Sequence, residues 1–227
     1  MLVVIEQVLA GDEVRTFRER LATADWRDGS DTAGTRSIAV KQNLQLGRTD
    51  PVAAELGHAI LARLGRHPQF VSASLAEKIW PPVFNCYQHG GHYGTHSDAA
   101  LMRLPEANLT LRSDLSATLF LSQPDEYDGG ELVIEQAFGA QAVKLAAGDM
   151  VLYPSSSLHQ VTPVTRGQRI CAITWLQSAV ADGAARELLY DLDQSIQALT
   201  PCRPADDPDI DRLVHVYHNL LRRWAQV

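Results

Sequence analysis

A chain of 227 residues exceeds one average domain and falls short of two large ones, so one main domain with an appended element is expected. Hydrophobic residues at 45% and charged residues at 21% sit at soluble globular averages, and no run approaches the roughly 20 apolar residues of a membrane-spanning helix. The net charge of −7 is spread along the chain with no basic stripe beyond Arg222-Arg223, which argues against nucleic acid as a partner and leaves membranes without a handle.

The N-terminus has no basic region and reaches Glu6 directly after an apolar run from Leu2 to Ile5, so it reads as an opening strand rather than a secretion signal, and a cytoplasmic location follows. Cys86, Cys171 and Cys202 lie far apart without a CxxC pair, against both a disulfide framework and a thiolate zinc site. The spacing predicts a helix capped by Asp12 that runs through Val14, Phe17 and Leu21 toward Trp26. A second is opened by Asp50-Pro51 and carries Leu56, Ile60 and Leu64 on one face. Between them, Gly29 to Leu46 is polar and lacks periodicity, and Lys41-Gln42-Asn43 reads as solvated surface in preference to a loop reaching a site.

From Gln69 the pattern changes to short apolar or alternating runs. These are residues 70–75, 79–87, 115–122, 131–136, 142–145, 149–154, 159–164 and 169–177, punctuated by Asp128-Gly129-Gly130, Gly139, Gly148-Asp149 and Arg166-Gly167. About eight short strands at this spacing suggest a jelly roll or barrel, with Pro81-Pro82 confined to an edge or bulge. Helical periodicity returns from Ala184 to Leu199 and, after Pro201 and Pro204, from Asp207-Pro208 through Ile210, Leu213, Tyr217, Leu220 and Trp224. The expected class is mainly β with flanking α: N-terminal strand and support helices over 1–77, a core over 78–179, and a C-terminal helical element over 180–227 that packs on the core or forms a homo-oligomer interface.

His96-Ser97-Asp98 places an imidazole and a carboxylate at i and i+2, on one face of an extended segment. With 8 histidines and 27 acidic residues, about one His-x-Asp/Glu arises by chance, so the triplet alone carries no weight. Order and spacing add the rest. His159 lies 63 residues on, at the start of an expected strand, and Arg169 follows ten residues later on the next. Two histidines and one carboxylate leave open iron positions on one face, enough for a bidentate oxo-acid and dioxygen, and the planar fork of Arg169 suits the far carboxylate of such a co-substrate.

The segments FNCYQHGGHYGTHSDAA (84–100), RSDLSATLFLSQPDEYDGGELVIE (112–135) and GDMVLYPSSSLHQVTPVTRGQR (148–169), with the helical tail, resemble the bacterial PKHD-type hydroxylases, relatives of prolyl 4-hydroxylases among the Fe(II)/2-oxoglutarate dioxygenases. The resemblance covers most of the chain. It implies a double-stranded β-helix core, Fe(II) on His96, Asp98 and His159, 2-oxoglutarate on Arg169 with release of succinate and CO2, L-ascorbate as reductant, and an association with iron uptake. It also implies a place for Tyr87 near 2-oxoglutarate, with a buried core tyrosine as an equal reading. Ser116 and Thr118 read first as plain strand residues, His89 and His92 as incidental members of a glycine-rich lid, Glu131 as structural, and Ser155 to Ser157 as no hydrolase nucleophile for want of a GxSxG elbow.

Two other classes stand beside the oxygenase: a non-catalytic iron-responsive sensor on the same fold, against which Arg169 weighs, and a cupin-like enzyme, whose three-histidine-plus-glutamate pattern is missing. The substrate, a small molecule or a peptide side chain used with O2, is not legible in the loops Asn85 to Gly94 and Ala99 to Ser113, nor in residues 101–105 after the ligands.

Overall fold

The computed structural model describes residues 1–32, 40–104 and 108–226. The N-terminal part runs β1 (Val3–Ile5), α1 (Gly11–Ala22), β2 (Trp26–Asp28), β3 (Lys41–Gln42), β4 (Leu44–Leu46), α2 (Pro51–Leu64) and α3 (Pro68–Ser74). The central part runs β5 (Ala76–Ile79), β6 (Val83–Gln88), β7 (His92–His96), β8 (Leu101–Leu104), β9 (Leu109–Arg112), β10 (Leu115–Phe120), β11 (Tyr127–Gly129) and β12 (Leu132–Gln136). It continues through β13 (Gly139–Val143), β14 (Met150–Pro154), β15 (His159–Val161) and β16 (Val164–Ser178), and the tail adds α4 (Gly183–Leu199) and α5 (Pro208–Trp224).

Helix starts follow local chemistry. Asp50 caps α2 by accepting from the amides of Val52 and Ala53 at 2.8 and 3.0 Å, with Pro51 at the first position where no amide is needed. α1 begins ahead of the expected Asp12 because Glu13 reaches back to accept from the Ala10 amide at 3.0 Å. It stops at Ala22, and Trp26 opens β2 instead of extending the helix, its indole N–H donating to the Leu21 carbonyl at 2.9 Å.

One expected strand is a helix. Residues 70–75 alternate, but Pro68 starts α3, His67 Nδ1 accepts from the Phe70 amide, and Leu75 closes the helix at φ 43°. Phe70, Ala73 and Ser74 then bury one helical face, so packing overrides the alternation. Pro81-Pro82 divide another expected run into β5 and β6, while Trp80 keeps its amide on the Trp175 carbonyl at 2.8 Å.

Two sheets face each other in jelly-roll fashion. The larger runs β1-β14-β10-β16-β6-β4-β2, with β5 and β11 also pairing along the 15-residue β16, and the smaller runs β13-β12-β15-β7-β3. In the large sheet, Phe84, Cys86, Leu115, Ala117, Leu119, Met150, Leu152, Ile170 and Ala172 face outward into a core shared with Val14, Phe17, Leu56, Ile60 and Phe70 of the N-terminal helices. The intervening positions face the small sheet, where Tyr87, Phe120, Val151, Tyr153 and Cys171 meet Leu132, Ile134 and Val161. In the tail, Tyr217, Leu220, Leu221 and Trp224 pack in cis against Val180, Ala185 and Leu189, and the Gln226 amide donates to the Ala179 carbonyl at 2.7 Å.

Candidate active site

β7 and β15 run antiparallel with His96 opposite His159. Asp98 follows β7, and its Oδ2 lies 3.8 Å from His159 Nε2; the ligand atoms of His96, Asp98 and His159 all fall within 4.8 Å of one another. Each imidazole is held by the carbonyl two residues earlier: His96 Nδ1 is 2.8 Å from Gly94 O, and His159 Nδ1 is 3.0 Å from Ser157 O. A neutral ring donating from Nδ1 presents its Nε2 lone pair to the cluster, which is the form a metal takes. Burial first, and then the neighbouring His159, draw the His96 pKa down to about 4, so the ring is neutral before any metal arrives.

The carboxylate is oriented from the other sheet. Ser116 Oγ donates to Asp98 Oδ2 at 2.5 Å and lies 2.7 Å from Ser155 Oγ. Tyr93 stacks on His96 with ring centroids 3.6 Å apart, and Tyr153 sets its ring edge-on to His159 at 5.2 Å. Two imidazole nitrogens and one carboxylate oxygen converging on one point are a donor set that would hold Fe(II).

Arg169 lies at the buried end of the same chamber; Glu131 acts on it electrostatically, but no carboxylate forms an ion pair with it among the described residues. It is 1% exposed and flanked by the rings of Tyr87 and Phe120, each 5.2 Å from its guanidinium carbon. Nη1 donates to Cys171 Sγ at 3.0 Å, but burial pushes that thiol's pKa up, so it stays neutral. Nε and Nη2 have no hydrogen-bond partner among the described residues, and neither has the buried Tyr127 hydroxyl beside them. An unpaired guanidinium in an apolar interior costs several kcal/mol, roughly 1–3 for each orphaned donor, unless a bound anion completes it. Gly130 makes room for it: a Cβ there would sit 3.0 Å from Arg169 Cδ and 2.8 Å from Val164 Cγ2.

A cavity of about 450 Å³ joins these parts, within the roughly 300–1,000 Å³ usual for small-molecule sites. Its lining includes the buried Arg169 and Tyr87, the ligand residues His96, Asp98 and His159, and Trp80, Met102, Leu104 and Trp175. All five residues singled out for chemistry, His96, Asp98, His159, Arg169 and Tyr87, thus line one chamber.

Other expectations change. Lys41 and Asn43 are not solvated surface: β3 pairs with β7, Lys41 lines the cavity, and Asn43 is buried with Nδ2 donating to Asn85 Oδ1 at 2.8 Å. Burial draws the Lys41 ammonium down to about 8. Residues 33–39 of that polar segment lie outside the described residues, as does Pro105; the stretch before it, Leu101–Leu104, expected as loop, is strand β8 paired with β9. Ser116 and Thr118 are more than plain strand residues, since one holds Asp98 and the other lines the chamber. Their alternation on β10 was the available signal, and Ser155, 39 residues away in sequence, had none. His89 and His92 stay off the cavity wall. His89 turns at φ 53°, and His92 begins β7 with its ring on the Gly90 carbonyl. Glu131 is engaged by the Thr162 hydroxyl, in keeping with a structural role.

Residues 82–177 match the family model described as 2OG-Fe(II) oxygenase superfamily, and residues 183–226 match that of the PKHD-type hydroxylase C-terminal domain. A PKHD-type hydroxylase of Teredinibacter turnerae is 62% identical over 226 residues, and one of Acidovorax ebreus is 57% identical, each alignment covering 100% of both chains. Among solved structures, a Pseudomonas putida prolyl-4-hydroxylase is 21% identical with a TM-score of 0.54, the match covering 78% of this chain and 92% of that one. HygX from Streptomyces hygroscopicus, solved with nickel, 2-oxoglutarate and hygromycin B, is 16% identical with a TM-score of 0.52, covering 78% of this chain and 82% of the other. At such identities the structural likeness speaks for the fold alone.

Proposed function

Starting from the fact that this chain belongs to the PKHD-type hydroxylases of the 2OG-Fe(II) oxygenase superfamily, and is therefore a 2-oxoglutarate-dependent hydroxylase using Fe(II), we propose which of its residues carry the reaction. His96, Asp98 and His159 hold the ferrous ion, and Arg169 takes the far carboxylate of 2-oxoglutarate, with Tyr87 beside it. The observation that carries this reading is the buried guanidinium of Arg169, left with two unpartnered nitrogens in the same chamber as the three converging ligands.

When bound, Fe(II) and 2-oxoglutarate supply the oxidising chemistry: dioxygen is consumed, 2-oxoglutarate leaves as succinate and CO2, and one oxygen atom enters the substrate. The protein's share is positional. The Gly94 and Ser157 carbonyls fix both imidazoles in the ligating tautomer, and Ser116 points Asp98 at the site. Arg169 recognises a dicarboxylate of one length, because its fork can be satisfied only by an acceptor reaching Nε and Nη2 together. The rings of Phe120, Tyr153 and Tyr93 keep bulk water from the reacting atoms.

The reading extends to residues 78–179 as the catalytic core with flanking parts 1–77 and 180–227, to L-ascorbate as reductant, and to a small-molecule or peptidyl substrate. A substrate in iron uptake or siderophore metabolism rests on family resemblance alone. A cytoplasmic setting is supported by free thiols at all three cysteines, and homo-oligomerisation through the tail by the partly open face of α5, where Val216 is 41% exposed.

The test is steady-state turnover of 2-oxoglutarate, following O2 uptake and succinate. Arg169→Lys, which keeps the charge and loses the fork, is expected to raise KM for 2-oxoglutarate roughly 10- to 100-fold. An unchanged KM in Arg169→Lys and Arg169→Ala alike would remove Arg169 from the co-substrate site.

A further inference from the structure

Among the described residues five buried side-chain polar atoms lack a hydrogen-bond partner, and three of them stand in one corner: Nε and Nη2 of Arg169 and the hydroxyl of Tyr127. Unmatched buried donors are rare in folded proteins, so three side by side call for one explanation.

Tyr127 reaches that corner from β11. It pairs with Gly167, two residues before Arg169 on β16, and is 0% exposed. The edge of its ring and the stem of Arg169 come together over Gly130, where a Cβ would stand 3.0 Å from Tyr127 Cε2 and 3.0 Å from Arg169 Cδ. Lys144 holds the residue in place, its Nζ 4.1 Å from the ring centroid and donating to the Tyr127 carbonyl at 2.8 Å.

The protein neighbours cannot serve the hydroxyl. Arg169 can only donate, so even at hydrogen-bonding range it leaves the phenol's own proton without an acceptor. Cys171 already accepts from Arg169 Nη1. Glu131, the carboxylate that acts on both Tyr127 and Arg169, accepts from the Thr162 hydroxyl and closes a bond with neither. Burial outweighs the pull of the guanidinium and holds the phenol's pKa above its ordinary value, so Tyr127 keeps its proton and remains a donor at neutral pH.

A carboxylate fits this set. Its two oxygens offer about four lone-pair directions, of which the fork of Arg169 takes two and leaves others for an O–H. The cavity wall is formed by Arg169 and not by Tyr127, so the phenol meets a ligand only where that ligand has already engaged Nε and Nη2. It therefore senses the far end of a bound 2-oxo acid and no other part of it.

We infer that the Tyr127 hydroxyl is a third donor to the far carboxylate of 2-oxoglutarate, which Arg169 and Tyr127 read together. This rests on the oxygenase reading above and adds a binding residue at its co-substrate end.

The test compares 2-oxoglutarate with 2-oxopentanoate, which has the same carbon chain ending in a methyl group. Each is titrated anaerobically into Fe(II)-loaded wild type, Tyr127→Phe and Arg169→Ala, with affinity read from the visible absorption of the chelate. In Tyr127→Phe, 2-oxoglutarate is expected to bind roughly 10-fold more weakly, while 2-oxopentanoate binds as it does to the wild type. A second readout is thermal unfolding without any 2-oxo acid: removing an unmatched donor while keeping the ring should leave the unfolding temperature unchanged or raised. Unchanged affinity for 2-oxoglutarate, an equal loss for both acids, or a lower unfolding temperature in Tyr127→Phe would overturn the inference, the last by revealing a partner within the fold. If Arg169→Ala weakens 2-oxoglutarate and Tyr127→Phe does not, this inference falls alone. If neither variant weakens it, or the wild type shows no chelate absorption, the oxygenase reading of the site falls with it.

Discussion

The strands β6, β10, β14 and β16 have two faces with opposite characters. Outward, Phe84, Leu115, Leu119, Leu152 and Ile170 belong to one apolar core with residues of α1, α2 and α3, with polar Thr174 and Gln168 on the same side of β16. Inward, one residue along in each case, stand Asn85, Ser116, Phe120, Tyr153 and Arg169, a face rich in polar groups at equal burial. Period-two alternation therefore separates stability from chemistry within single strands, at a distance of one residue. The inward face carries an unpaired arginine because the outward face, with its helices, supplies the burial that tolerates it.

The sharpest way to break that division is to remove an inward metal ligand. Asp98→Ala should cost metal affinity by more than the roughly 100-fold upper end seen for outer-shell partners. Its thermal unfolding temperature without metal should stay close to that of the wild type, as calorimetry of both forms would show. The mirror-image change is Leu119→Ala on the outward face, expected to destabilise the fold by about 2–5 kcal/mol in denaturant melts while leaving metal affinity of the folded protein intact. If either variant moved both quantities together, the two faces would not be separable.

Ser116→Ala sharpens the comparison, since Ser116 is an inward residue that touches a ligand without being one. Metal titration should show affinity lowered by about 10-fold or somewhat more, with the conservative Ser116→Thr recovering part of it. The smallest effect concerns acid. His96 titrates near 4 in the fold against 6.5 ordinarily, so between those values the unfolded chain binds more protons. Stability of metal-free protein should accordingly fall as pH drops through that window, and in His96→Gln the fall should be shallower; equal slopes in pH-dependent melts would count against a neutral, buried His96.

Much of this organisation was legible in order and spacing. Asp50-Pro51 and Asp207-Pro208 name their own helix starts, and His96, Asp98, His159 and Arg169 follow one another at strand spacing. What escaped depends on partners distant in sequence. Lys41 and Asn43 look solvated until β3 is laid on β7, and Asn43 meets Asn85 only through the sheet. Ser116 and Ser155 are ordinary strand and loop residues until β10 and β14 pair. Residues 70–75 misled because alternation over so short a run does not outweigh Pro68 and the burial of Phe70.

The most direct measurement is an anaerobic titration of 2-oxoglutarate into Fe(II)-loaded protein, reading the weak visible charge-transfer absorption of the chelate in wild type and Arg169→Ala. The expected result is an absorption that saturates in the wild type and, in Arg169→Ala, reaches the same shape only at roughly 10-fold or more 2-oxoglutarate. Saturation at the same concentration in both would contradict the account, because the buried guanidinium would then have some other partner.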